Sequence, residues 1–415
     1  MIMSKKVLKN DFFKNINFIK LWLASLFSTF GDSIDDIIIM LLVIELTNSA
    51  RTTGIFLMII SIPGVIFSVF GGAFSDAFEK KKIMIIMASL QGVIMIILMF
   101  LTAIGNISFY ILCFFLFLLE SCSKLYMPSF TALSAYIIKN ESYSKFRSFM
   151  TTTQSLISLI APSICTSMII LVGYSLPLLI NSLSYFVTSF FVSMIHIDDN
   201  INNDKQIKTI KAKIRTIIDS IKEGFGYIIQ KKSLIKLISI MSIMNFCLAM
   251  FDVALPFYVR DYLNLSTQYY GYLKSFSIFA FILAGVLLSK IKFEKTIRII
   301  ITSVFLMGVC VMILGICNNF LIVSIFWALG AFFRTIAIIL IGSNIVTMSN
   351  KSYVGRISGI STMIMSIILM ISRGLSGFLV ESFSPEIIFS ASGIIFLICS
   401  IIYRMDVKFY SESLR

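Results

Sequence analysis

The stretch Gly71-Gly72-Ala73-Phe74-Ser75-Asp76-Ala77-Phe78-Glu79-Lys80-Lys81-Lys82 joins two long apolar spans, 52–75 and 83–104. Its glycines let helices approach closely, Asp76 offers a carboxylate at a helix end, and the three lysines hold the turn on the cytoplasmic side of a bilayer. Working outward, the same alternation of apolar span and short polar turn fills the chain. Twelve spans are read at 17–46, 52–75, 83–104, 107–128, 149–172, 174–196, 234–260, 268–289, 297–316, 319–343, 355–381 and 386–403. With 58% hydrophobic residues, 13% charged residues and a mean hydropathy of +0.95, the 415-residue chain has no counterpart among soluble globular domains. The expectation is an all-α integral membrane protein with twelve transmembrane helices.

The formal net charge of +14 invites a nucleic-acid reading, but the positions of the bases oppose it. If the N-terminus is cytoplasmic, 29 of the 35 Lys and Arg lie on inner segments or at the inner ends of spans, including nine from Lys205 to Lys236. Arg51 and Arg260 fall outside, and Lys124, Lys274, Arg334 and Arg373 fall within spans. The positive-inside rule therefore predicts cytoplasmic N and C termini and assigns the basic balance to orientation. The first dozen residues are polar and basic without a cleavage site, so no separate signal peptide is expected. The seven cysteines include no CxxC pair and read as small apolar residues; no metal site and no cofactor are expected.

The longest polar stretch splits the spans six and six. The expected domains are 1–197, a cytoplasmic linker 198–232, and 233–415. In the linker Ile207, Ile210, Ile214, Ile217, Ile218, Ile221 and Phe225 recur at helical spacing among lysines and Arg215, an amphipathic helix suited to the inner leaflet. The halves also resemble each other. Asp36 to Glu45 lines up with Asp252 to Asp261, Phe78-Glu79-Lys80 with Phe293-Glu294-Lys295, and Arg147 with Arg356. Two parallel six-helix repeats follow, with the working site between them.

Span 1 carries an anomaly. Asp32, Asp35 and Asp36 lie inside the otherwise apolar stretch from Phe18 to Leu46. A carboxylate at such depth costs about 2.5–3.5 kcal/mol on the insertion scale, so intramembrane acids read as functional. At offsets of three and four residues they share one helical face, which must look at water, a partner or a cargo.

The 71–82 stretch resembles the loop 2–3 signature of the major facilitator superfamily, Gly-x-x-x-Asp-x-x-Gly-Arg-Lys/Arg, with Glu79 in place of the second glycine and Lys80 in place of the arginine. Finer features resemble the drug:proton antiporter-3 group, which includes the macrolide efflux proteins. They are Gly31-Asp32-Ser33, Lys222-Glu223-Gly224-Phe225, Leu255-Pro256-Phe257-Tyr258-Val259-Arg260-Asp261 and Gly355-Arg356. The resemblance implies the major facilitator fold, a gating role for Gly72, Asp76 and Lys80, and a central cavity lined by helices 1, 4, 7 and 10. It also implies a monomer in the plasma membrane, of the kind found in bacterial inner membranes. The arginine that many drug:proton antiporters carry in span 4 is missing; that region reads Leu119-Glu120-Ser121-Cys122.

The intramembrane charges sort as such a cavity requires. Asp32, Asp35 and Asp36 are on span 1, Glu120 and Lys124 on span 4, Asp252 on span 7, and Arg334 on span 10, with Lys274 and Arg373 on spans 8 and 11. The interiors of spans 3, 6, 9 and 12 carry none. Plainer readings stand beside the functional one: Glu120 pairs with Lys124 four residues on, Arg334 and Arg373 act as counter-ions, and Lys274 snorkels to the interface. Proton coupling and substrate binding are therefore assigned to Asp32, Asp36, Asp35, Asp252, Glu120, Arg334 and Arg373. Phe27, Phe30, Phe251 and Tyr258 are candidate pocket aromatics.

The expected function is export of amphiphilic, cationic, macrolide-like small molecules by proton antiport, with partners limited to cargo, protons and lipid. Export of a native metabolite, siderophore or peptide is the competing reading, and a non-transporting sensor or immunity protein a third. No nucleophile–base set and no Gly-x-x-x-x-Gly-Lys-Ser/Thr occurs, so neither an enzyme nor an ATP-driven pump is expected.

Overall fold

The structure, a computed structural model, describes residues 15–77, 79–138, 140–196, 222–290, 296–350 and 353–405. Among them twelve long α-helices follow one another: α1 (Ile16–Thr47), α2 (Ala50–Ala77), α3 (Lys80–Ala103), α4 (Phe109–Ile137), α5 (Asn140–Val172), α6 (Ser175–Ser193), α7 (Lys232–Phe257), α8 (Thr267–Lys290), α9 (Thr296–Leu314), α10 (Phe320–Met348), α11 (Val354–Phe383) and α12 (Pro385–Met405). A π-helical turn, Tyr258–Tyr262, continues α7. Every expected span has its helix, and α4 and α5 run on past the apolar stretches into the polar residues near Ser134 and Asn140. Eleven helices are long and apolar enough to cross a membrane. The exception is α1, whose Lys20 and three aspartates interrupt its apolar run.

Turn chemistry sets several helix ends. Gly105 and Gly173 follow α3 and α5 with φ of 67° and 73°, the left-handed conformation that closes a helix cheaply only for glycine. Ser108 caps α4 by accepting from the Ile111 N–H, and Asn319 caps α10 by accepting from Leu321 and Ile322.

By packing, the chain divides into two compact units, Met1–Ile39 with Ile66–Ile214, and Met40–Val65 with Arg215–Arg415. The second unit takes in residues 40–65, which precede the expected linker in sequence. Most of the expected linker helix lies outside the described residues. Its end, 222–230, is helical, and Tyr227 stacks on Tyr353 with centroids 4.4 Å apart.

In the first unit α1 is held on two sides by polar contacts. Toward α5, Gln154 donates to Ser25 at 2.7 Å, the Trp22 indole donates to Thr153 at 3.2 Å, and the Ser33 and Ser158 hydroxyls stand 3.0 Å apart. Toward α6, Lys20 donates to the Met194 carbonyl at 2.6 Å and Thr188 to the Ala24 carbonyl at 3.2 Å. Lipid supplies no hydrophobic drive for helix association, so small residues and interhelical hydrogen bonds take over that role. Gly31 illustrates the need: a Cβ there would sit 2.3 Å from Ser184 Oγ and 2.5 Å from Asn181 Oδ1.

The second unit repeats the device. On α11, Ser372 donates to the Phe246 carbonyl and Ser376 to the Met250 carbonyl of α7, the latter at 2.8 Å. The first half of α2 meets α11 backbone to backbone. A Cβ on Gly54 would lie 2.6 Å from Gly377 Cα, and one on Gly377 would lie 2.6 Å from the Ala50 carbonyl oxygen. At the end of this seam, Ser49 Oγ and the Arg51 N–H donate to Glu381 at 2.8 and 3.0 Å.

Candidate functional site

Two groups of intramembrane charge result, one in each unit. In the first, the helical offsets of three and four residues place the α1 acids on one side of the helix, as the sequence requires. Asp32 and Asp36 are exposed, whereas Asp35 is only 5% exposed. The Tyr185 hydroxyl of α6 bridges two of them, donating to Asp32 at 3.0 Å with Asp35 Oδ2 at 3.4 Å. Ser28, one turn earlier on α1, lies 3.4 Å from the other Asp32 oxygen. Asp35 Oδ1 has no hydrogen-bond partner among the described residues, and neither have the buried Asn181 Nδ2 and Tyr126 hydroxyl of the same unit. Unsatisfied buried polar atoms are rare in folded proteins. Glu120 and Lys124 of α4 pair at 3.3 Å.

Tyr185 and Asn181 were not among the expected site residues. The cavity geometry that the family resemblance implies leaves span 6 outside, and its interior carries no formal charge. Its polar residues Asn181, Ser184, Tyr185 and Thr188 nevertheless recur at helical spacing, and that polar stripe is the signal that finds them.

In the second unit a single acid meets several bases. Asp252 Oδ2 accepts from Arg373 Nη2 at 2.8 Å and Nε at 3.1 Å, while Lys274 Nζ stands 3.8 Å from Oδ1. Lys274 thus reaches an acid inside the unit in place of the expected snorkelling to the interface. Arg373 Nη1 donates to Ser61 Oγ of α2 at 3.0 Å. Pro256 stands four residues after Asp252, so the Asp252 carbonyl lacks its usual helical donor. Pro128 does the same to the Lys124 carbonyl. On both helices the backbone is loosened at a charge-bearing residue.

Arg334 of α10 lines a cavity of about 240 Å³ with Asp252, Asn245, Leu248 and Phe281. Among the described residues no hydrogen bond or ion pair engages its guanidinium. The aromatics are spread out: Phe27 is 38% exposed and stacks on Phe191, and Phe30 is partly buried. Phe251 is buried against Phe389 at 4.7 Å. Tyr258 is buried too, and its hydroxyl is committed to the Leu314 and Cys317 carbonyls at 2.6 and 2.9 Å. Gly72 and Asp76 fall in the last turns of α2 and Lys80 opens α3, where Glu79 and Lys82 pair at 2.8 Å.

The family model described as Major Facilitator Superfamily matches residues 21–324. The chain belongs to the major facilitator superfamily. It is 24% identical over 413 residues to the uncharacterized MFS-type transporter YkuC of Bacillus subtilis (strain 168), covering 97% of this chain and 94% of that protein. It is 20% identical over 401 residues to macrolide efflux protein A of Streptococcus pyogenes, covering 94% and 96%. Two crystal structures of the nucleoside transporter NupG, one of them a mutant, superpose with TM-scores of 0.74 and 0.71 at 11% and 10% identity. They cover 94% of this major facilitator chain and 99% and 98% of their own, a likeness of fold.

Proposed function

We propose that this major facilitator protein exports amphiphilic cations, of the macrolide-like kind, in exchange for protons. The observation that carries the reading is the α1 acid group: Asp35 is buried with one oxygen unpartnered, Asp32 and Asp36 are exposed, and Tyr185 ties the first two together. Three acids share one face, and Lys124 on α4 is already paired with Glu120, so the group can hold either protons or a cationic amine. Distant similarity to macrolide efflux protein A supports the choice of cargo. In this reading the amine binds near Asp32 and Asp36 from the cytoplasmic side, and protons from outside displace it after the protein changes its access.

Further parts belong to the same proposal. The termini are cytoplasmic, the protein is a monomer of the bacterial plasma membrane, it performs no enzymatic reaction, and Gly72, Asp76 and Lys80 gate the change of access. The test is ethidium or labelled macrolide efflux in everted vesicles under an imposed proton gradient, with Asp36→Asn beside the wild type. The variant is expected to lose gradient-driven transport; undiminished coupled transport would sink the mechanism.

A further inference from the structure

The second unit has a charged cavity of its own. Three bases, Arg334, Arg373 and Lys274, surround one acid, Asp252, and both oxygens of that acid are already engaged by Arg373 and Lys274. The third nitrogen of Arg373 is taken by Ser61. Arg334 is left over. It is half-buried, it lines the cavity of about 240 Å³, and among the described residues nothing accepts from it. Two neutral polar side chains also line the cavity, Thr335, which donates to the Ala331 carbonyl at 2.8 Å, and Asn245, which donates to the Met241 carbonyl at 2.8 Å; among the described residues neither accepts from Arg334.

A guanidinium at membrane depth is costly unless paired, and its planar fork of donors matches a carboxylate, sulfonate or phosphate. The other walls of the cavity, including Leu248, Phe281, Ile338 and Leu369, are apolar. They suit the body of an amphiphile and would gain nothing from a small hydrated ion.

We propose that this cavity, with Arg334 as its anchor, recognises an anionic group on the cargo, so that the transported molecules include zwitterions carrying a carboxylate or similar group on an apolar frame. The word cargo rests on the export reading above; binding in the cavity does not, because it is measured without transport.

The chain has two tryptophans, and Trp327 lines an adjoining pocket of about 20 Å³ that shares Leu248 and Arg334 with the cavity. Full-length Trp22→Phe protein in phosphatidylcholine nanodiscs therefore carries one fluorescent reporter beside Arg334. Quenching is titrated with 4-nitrobenzoate and with its uncharged analogue 4-nitrobenzyl alcohol. The expected result is saturable binding of the nitrobenzoate at least tenfold tighter than of the alcohol. Arg334→Gln is expected to lose that tenfold while binding the alcohol as before, which also shows that it is folded; Arg334→Lys keeps part of the preference.

Equal affinity for the two probes, or unchanged nitrobenzoate binding by Arg334→Gln, would overturn the proposal. Abolition of binding in phosphatidylglycerol nanodiscs would identify a lipid headgroup as the occupant and overturn the cargo assignment. Persistence there supports it. If nitrobenzoate binds but the vesicles move no cation, the export reading fails and the anion site stands.

Discussion

The two units handle buried charge in opposite ways. In the first, three acids share one helix face with a tyrosine between two of them, and one carboxyl oxygen has no partner among the described residues. In the second, one acid is saturated by an arginine and a lysine while another arginine is left over. Asp36 and Asp252 align in the sequence repeat, yet Asp36 is exposed and Asp252 is locked between α8 and α11. The lesson is that a repeated scaffold fixes where a charge stands, and the neighbouring helices decide how deeply it is buried and what it meets.

The contrast is open to direct attack. The largest effect is expected from Asp252→Asn, which strips two bases of their shared partner. Because the pair is about a quarter exposed, the loss is discounted to on the order of 2–4 kcal/mol, read as a drop in thermal unfolding midpoint in detergent. The matching change in the first unit, Asp35→Asn, alters a buried carboxyl whose Oδ1 has no partner among the described residues. Its stability is expected to stay within about 1 kcal/mol of wild type while proton-driven efflux is lost. Equal destabilisation by the two variants would erase the distinction between the units.

Next comes Tyr185→Phe, which withdraws the one donor bridging Asp32 and Asp35. A hydrogen bond of this kind contributes about 0.5–1.5 kcal/mol, and unfolding together with vesicle efflux at fixed pH should both register its loss. Lys274→Met should cost about 1 kcal/mol or less, since its ion pair spans 3.8 Å while Arg373 stays in place. Smallest of all, Glu120→Gln should change stability by less than about 0.5 kcal/mol, because an exposed pair four residues apart on a helix contributes little. A loss of efflux in that variant without a loss of stability would move Glu120 from the plain pair to the coupling group.

Much of this was open to reading from residues alone. Span lengths and the 71–82 turn gave twelve helices in their places, because apolar length in a bilayer leaves the backbone few alternatives. The acids of α1 declared themselves through insertion cost. Their partner Tyr185 did not, since an uncharged side chain on an apparently plain helix pays no such penalty and shows only as one member of a polar stripe. Pairing was equally hidden: Asp252 could face any of three bases, and the choice of Arg373 over Arg334 depends on how α7 packs on α11. The assignment of residues 40–65 to the second unit likewise rests on glycines 323 residues apart, Gly54 and Gly377, a distance no local pattern spans.

That seam between α2 and α11 has a further consequence. Glycine has no rotamer to freeze, so bringing the two backbones together costs none of the side-chain entropy that an interdigitated contact demands, and drawing them apart returns none. Such a surface resembles two smooth rails more than a set of teeth. Its specificity therefore comes from the few side chains at its margins, among them Ser49 and Arg51 on Glu381 and Arg51 over the Phe378 ring.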